Sequence, residues 1–323
     1  MDAPRSRRRS TPFLLGLIAI LAALPLGYFL FLHEPPAPPP PPVVEAPPPP
    51  APEEPKRPAE LKLEEVSGTV EVRSGEGQWR AVKAGEALRP SDSVRTQHGS
   101  YAVVINGEAV EVRMDAGSEL TIEELTQSVS RFLLRNGRTT TRVRPGVRQS
   151  VEVRAAGSDA VARTEGGTFA MSNNGAGTVA VATSEGEVTF LGRGKVVIVR
   201  AGQQSVVLPG RGPSEPTPIP SSLLLKVTWP ARSTVSKRQL VVSGQTEPGA
   251  HVDVAGEMVP TDEQGRFSRP VALQEGRNTV QVQAVSVGGL RQQEQHELTV
   301  DTRPPDKVIV DPGMWNDPAP QGQ

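Results

Sequence analysis

No cysteine occurs in the 323 residues, and aromatic residues make up only 4%. The first absence removes disulfides, thiol nucleophiles, cysteine zinc sites and iron–sulfur ligation together. Whatever folds here is therefore held by apolar burial and hydrogen bonding. The histidines, His33, His98, His251 and His296, are far apart and show no i,i+3 or i,i+4 pairing, so a helical metal site has no sequence support. There is no G-x-S-x-G elbow, P-loop or G-x-G-x-x-G run; Gly75-Glu-Gly77 and Gly192-Arg-Gly194 fail at the third glycine. Carboxylates such as Glu108, Glu111 and Asp115 are plentiful, yet sequence spacing alone cannot make a glycosidase pair of them. One-sided charge is also lacking: 35 Lys and Arg oppose 36 Asp and Glu, a net charge of −1. That balance argues against a surface built throughout for nucleic acid. The expectation is a protein that is not an enzyme, with no cofactor, no nucleic-acid partner and no small-molecule substrate.

One long apolar run is present. Residues 13–32, FLLGLIAILAALPLGYFLFL, are uncharged, and at the helical rise such a run extends about 30 Å, the thickness of a hydrocarbon core. Arg5, Arg7, Arg8 and Arg9 precede it, while His33 and Glu34 follow. The positive-inside rule therefore predicts a cytosolic basic stub (1–12), a transmembrane helix (13–32) and the bulk of the chain outside. A cleaved signal peptide is the competing reading; the length of the run and the lack of an A-x-A site before Pro35 favour an uncleaved anchor. Residues 35–58 then hold 14 prolines in 24 positions. That density removes backbone donors and fixes φ, so the linker 33–60 is read as a polyproline II standoff.

From Glu64 the pattern changes to short β-branched runs punctuated by glycine. Val70 and Val72 alternate with Thr69 and Glu71, as in a half-buried strand. Asn106-Gly107 between Tyr101–Ile105 and Glu108–Met114 is a hairpin signal, and Asn136-Gly137 and Pro145-Gly146 are read as further turns. About fifteen short strands and no helix are expected over 61–208. An internal echo, Gly68-Thr-Val-Glu-Val to Lys83-Ala-Gly85 and Gly186-Glu-Val-Thr-Phe to Arg200-Ala-Gly202, suggests coils of a β-solenoid or halves of a β-sandwich.

The run Gly68-x-Val-x-Val, Trp79, Ala84-Gly85-x-x-Leu88, Ser91-Asp92-x-Val94-Arg95-Thr96, Gly99-Ser100-x-Ala102 and Ser118-x-Leu120-x-Ile122, continued by Phe169, Val179–Thr183 and Ala201-Gly202-Gln203, resembles the FecR domain of bacterial envelope proteins. The resemblance implies an all-β, solenoid-like domain on the outer side of the inner membrane. Its namesake couples an outer receptor to a cytosolic sigma factor, which requires a cytosolic domain. Only about a dozen residues precede the apolar run here, so fold and location are carried over and anti-sigma activity is not.

A linker at 209–222, rich in Pro and Gly, leads to a second all-β stretch at 223–302. Leu240–Val254, Thr261–Phe267 and Leu273–Ala284 resemble a bacterial immunoglobulin-like domain, implying a β-sandwich of about seven strands. Residues 303–323 are read as a loose tail. The remaining electrostatic feature is a row of arginines. Arg138, Arg142 and Arg144 share parity along a strand, and a return after Pro145-Gly146 would bring Arg148 and Arg154 beside them. Guanidinium groups bind carboxylate and phosphate bidentately, so these five are the candidate site for an anionic partner; internal pairing with acidic strands is the ordinary alternative. The sequence thus predicts an all-β, single-pass inner-membrane protein, its amino terminus cytosolic and its bulk periplasmic. The expected role is non-catalytic binding or scaffolding toward an envelope protein or an anionic cell-wall polymer. A transmembrane signalling regulator and a cell-wall hydrolase are the alternatives.

Overall fold

The computed structural model describes residues 11–32, 61–146 and 148–303. The proline-rich segment, the basic stub up to Ser10 and the tail from Pro304 lie outside the described residues. The apolar run forms an α-helix, Thr11–Gly27, with Pro25 inside it, followed directly by a π-helix, Tyr28–Leu32. Among the described residues no helix is long and apolar enough to cross a membrane.

The rest is all-β. Fifteen strands lie between Leu61 and Val207, and they form two sheets packed face to face. The front sheet runs from Ala87–Leu88 through Leu61–Ser67, Tyr101–Asn106 and Val110–Met114 to Gly167–Asn173 and Gln203–Val207. The back sheet runs from Arg80–Ala81 through Val70–Ser74, Asp92–Thr96 and Glu119–Leu125 to Ser150–Ala155, Val161–Thr164 and Lys195–Arg200. The chain alternates between the sheets and advances along both in nearly the same order. The body is therefore a sandwich wound as a flattened coil, and the solenoid and sandwich readings describe one object.

Two long strands belong to both sheets. Val129–Val143 pairs with the back sheet up to Asn136 and with the front sheet from Gly137 onward. Val179–Gly192 does the reverse, leaving the front sheet at Gly186. Asn136-Gly137 was expected to turn the chain; instead the strand runs straight through and changes sheet. The burial pattern records this. Ser130, Phe132 and Leu134 face inward before the crossing and Thr139, Thr141 and Val143 after it, a change of parity that Gly137 absorbs at φ +97°. Phe132, Phe169, Phe190, Leu61, Leu63 and Met114 fill the single core between the sheets.

The internal echo is real in three dimensions. Both copies are hairpins at opposite ends of the back sheet, and Gly85 N–H donates to Leu63 O at 2.7 Å as Gly202 N–H donates to Thr183 O at 2.8 Å. The hairpin at Asn106-Gly107 forms as expected, with Asn106 opposite Val110. Residues 209–222 are laid along the coil: Ser214 N–H donates to Val206 O, and Thr217–Pro218 pairs with Gln203 and Gln204.

The second body has its own core, centred on Val242, Val252, Val254, Val282, Ala284 and Leu298. A three-stranded sheet, Leu225–Thr228, Gln239–Thr246 and Arg266–Ala272, covers a five-stranded one containing Thr234–Val235, Arg291–Val300, Gly276–Val285, His251–Val254 and Glu257–Val259. Val280, Val282 and Ala284 alternate inward, as their spacing indicated.

Candidate functional site

The outer face of the front sheet is unusual in carrying small apolar residues. Ala170, Ala180 and Ala182 are buried there beneath Val287 of the second body, with Ile219 packed alongside. Small side chains let the second body approach closely: Gly249 lies so near that a Cβ on it would stand 2.7 Å from that of Ala180. Polar contacts fix the register. Ser172 Oγ donates to Gly249 O at 2.8 Å and Asn174 Nδ2 to Thr261 O at 2.8 Å. Arg138 reaches across both ways, its Nε donating to Val287 O at 3.0 Å and its Nη1 to Asp115 at 2.5 Å. At the other rim His98 Nδ1 meets Asp253 Oδ2 at 2.9 Å.

Between these contacts the two bodies enclose a cleft of about 590 Å³. Its first wall is the loops 97–100 and 115–118 with Arg95, Tyr101 and Arg113; its second is His251, Asp253, Met258, Gln281, Gln283 and Arg291. Stacking stiffens the rim, since Arg113 lies 4.1 Å over the Tyr101 ring, and Arg95 and Arg73 lie 4.3 and 4.5 Å over that of Trp79. The lining is rich in amides, guanidinium groups and carboxylates, and a cleft of this size between two bodies is where ligands commonly sit.

His251 lies on this wall. The residue keeps some accessible surface, but its Nε2 has none and finds no hydrogen-bond partner. Desolvation pushes its pKa down to about 4, against opposing pulls from Asp115 and Asp253. A histidine depressed in the folded state is stabilising above its unfolded pKa of about 6.5, and that contribution is lost as pH falls toward 4. The chain should therefore lose roughly 2 kcal/mol between pH 7 and pH 5 through this group alone. Urea unfolding of wild type and His251→Gln at both pH values isolates the term; equal losses in the two proteins would remove it.

The five arginines singled out from sequence are not gathered in one row. Arg138 is nearly buried at the junction, its side chain 11% exposed. Arg142 and Arg144 lie on the front sheet, near Thr168 and paired with Glu108 respectively. After Pro145-Gly146 the chain does not return beside them. It enters the back sheet, where Ser150–Ala155 runs parallel to 129–134 and Arg154 pairs with Glu123 at 3.2 Å. Arg148, in the connecting segment, is exposed. Glu124 and Glu152 hold Arg131, and Glu119 holds Arg135. Sequence reasoning missed Asn173, which is fully buried and whose amide donates to Leu134 O and Ala156 O beside the crossing. It also missed the cleft, whose walls come from segments more than 100 residues apart. Among the described residues no group of three or more His, Cys, Asp or Glu side chains could hold a metal ion.

No family model matches the chain. No curated protein matches it either. Among solved structures, two crystal structures of a candidate anti-sigma factor from Parabacteroides distasonis share 18% identity with it at a TM-score of 0.34, covering 39% of this chain and 59% of that one. The chain thus spans about three fifths of the length of these relatives. Fibronectin(III)-like modules of Clostridium thermocellum CbhA share 13% identity at a TM-score of 0.23, covering 59% of this chain and 100% of that one. At these scores the functional reading rests on the geometry.

Proposed function

We propose that the chain is a membrane-anchored, periplasm-facing, non-catalytic binding or scaffolding protein that holds a polar envelope component, protein or anionic polymer, in the cleft between its two β-bodies. The observation carrying this reading is the junction itself. Arg138, Ser172, Asn174 and His98 tie the bodies together on either side of a cleft lined by hydrogen-bonding groups. Binding by such a surface needs only complementarity held in place by rigid walls. Anchoring is supported by the uncharged apolar sequence 13–32 and the exposure of its side chains from Leu15 to Phe31; the α-helix Thr11–Gly27 alone is too short to span a membrane.

Residues 59–323, freed of the apolar helix and comprising the compact β-unit, should co-sediment with isolated bacterial envelopes. Changing Gln281 and Gln283 to Leu and Arg291 to Ala should reduce recovery about tenfold, the loss of one to two good polar contacts. These side chains lie on the open wall of the cleft, away from the second body's core. Equal sedimentation of both proteins would place binding elsewhere.

A further inference from the structure

Unpaired sheet edges invite strand addition, and proteins commonly blunt them by keeping edge strands short. The coil has four edges. Three are strands of two residues: Arg80–Ala81, Ala87–Leu88 and Thr217–Pro218. The fourth, Lys195–Arg200, has six residues and, among the described residues, pairs on one side only, with Glu187–Gly192. Its sequence between the charged ends is Val-Val-Ile-Val, all β-branched. Val197 and Val199 are buried, whereas Val196 is 55% and Ile198 43% exposed. Pairing this edge antiparallel with its own copy in centred register would set Lys195 against Arg200 at both ends, and like charges directly opposite are destabilising. The edge calls for a β-branched strand with acidic ends.

The sequence contains such a strand. Between Pro305 and Pro312 lies Asp306-Lys-Val-Ile-Val-Asp311, outside the described residues and bracketed by residues that stop a strand. Laid antiparallel on the edge, it sets Asp306 opposite Arg200 and Asp311 opposite Lys195, with Val308 meeting Ile198 and Val310 meeting Val196 on the exposed face. Lys195 is already bridged to Glu215 at 2.7 Å, but both partners are well exposed, and such bridges are exchanged at little cost.

We propose that residues 306–311 of a second copy of this chain add as a strand to the Lys195–Arg200 edge. The occupant is a second copy because the same copy cannot reach. In the second body Val285 pairs with Arg291 at the end whose turn meets Arg138, and Gly276 pairs with Val300 at the opposite end. These ends are separated by a strand of about 30 Å, and the Arg200 end of the edge lies at the first of them, because Ile219 N–H donates to Gly202 O and Ile219 packs with Val287. The chain leaves from the far end, where Thr302 is held by Glu275, and the four steps from there to Asp306 span about 14 Å at most.

The absence of cysteine makes the test clean. Two full-length proteins, Ile198→Cys and Val308→Cys, are purified in detergent, mixed and oxidised. A disulfide-linked heterodimer is expected in the mixture at roughly ten times the level of either homodimer. Asp306→Arg with Asp311→Arg, added to the Val308→Cys chain, should abolish the product; Lys195→Asp with Arg200→Asp, added to the Ile198→Cys chain, should restore it. A heterodimer yield no greater than that from mixing Ile198→Cys with Met314→Cys overturns the proposal. So does an intramolecular disulfide in the chain carrying both Ile198→Cys and Val308→Cys, or a product indifferent to charge reversal.

Discussion

Arg138→Ala should release the second body from the coil at a cost of about 3–5 kcal/mol, the range found when one partner of a buried ion pair is removed. The side chain holds two groups at once, Asp115 and the carbonyl of Val287; truncation leaves the carbonyl without this donor and Asp115 with only the longer contact to Arg113 Nε at 3.8 Å. Asp115 is left a half-hidden carboxylate; the carbonyl of Val287 is left beside an apolar patch of alanines. The effect should appear as faster amide exchange in the segments 249–258 and 286–289, with Val242 and Val282 at the heart of the second core still protected. Arg138 also lowers the His251 pKa, while Asp115 and Asp253 raise it. Its removal narrows the gap between the folded and unfolded pKa of His251, so the variant should lose less stability than wild type between pH 7 and pH 5. Adding Asp115→Asn should recover part of the stability, because no charge is then stranded. Exchange unchanged in both segments would show that the alanine patch alone holds the bodies together.

Arg138 also shows where sequence reasoning reached its limit. Its parity with Arg142 and Arg144 was legible, and all three do lie on the outer side of one sheet segment. What was not legible is that this side is covered at Arg138 while Arg142 and Arg144 stay exposed. The cover consists of Val287 and Ile219, and no local pattern announces which sheet face receives another body; only Ala170, Ala180 and Ala182, small residues at alternate outward positions, hint at it. The second half of the supposed row failed for a topological reason. Pro145-Gly146 looks like any hairpin turn, yet the strand after it pairs parallel with 129–134 in the other sheet, and pairing direction is set by the whole winding. By contrast, features that depend on neighbours in sequence were read well. The alternation of Val280, Val282 and Ala284, the Asn106-Gly107 hairpin and the repeated hairpin ending in Gly85 and Gly202 all sit where local chemistry put them.

Gly137→Ala should destabilise the first body far more than a turn glycine would, because the crossing leaves no room for a methyl group. At φ +97° any L-residue is strained, which costs about 1–3 kcal/mol. A Cβ here would also stand 2.3 Å from Ser118 Oγ and 2.4 Å from the Ser118 Cα, so backbone must move, and overpacking of this kind costs about 1–3 kcal/mol more. Ser118 cannot simply retreat. Its hydroxyl both donates to Arg138 O and accepts from Arg138 N–H, while its own N–H donates to Thr96 Oγ1 at 3.0 Å. The expected total, about 2–6 kcal/mol, is a large share of the stability of a typical domain. Gly146→Ala is the matched control: its φ of +83° is also positive, but nothing lies within 4 Å of the added carbon, so only the backbone term of about 1–2 kcal/mol should appear. Urea midpoints of the two variants, compared at unchanged m-value, separate strain from collision. If they coincide, the loop at Ser118 yields freely, and the passage of one strand between two sheets is not the rigid point that orients Arg138 toward the second body.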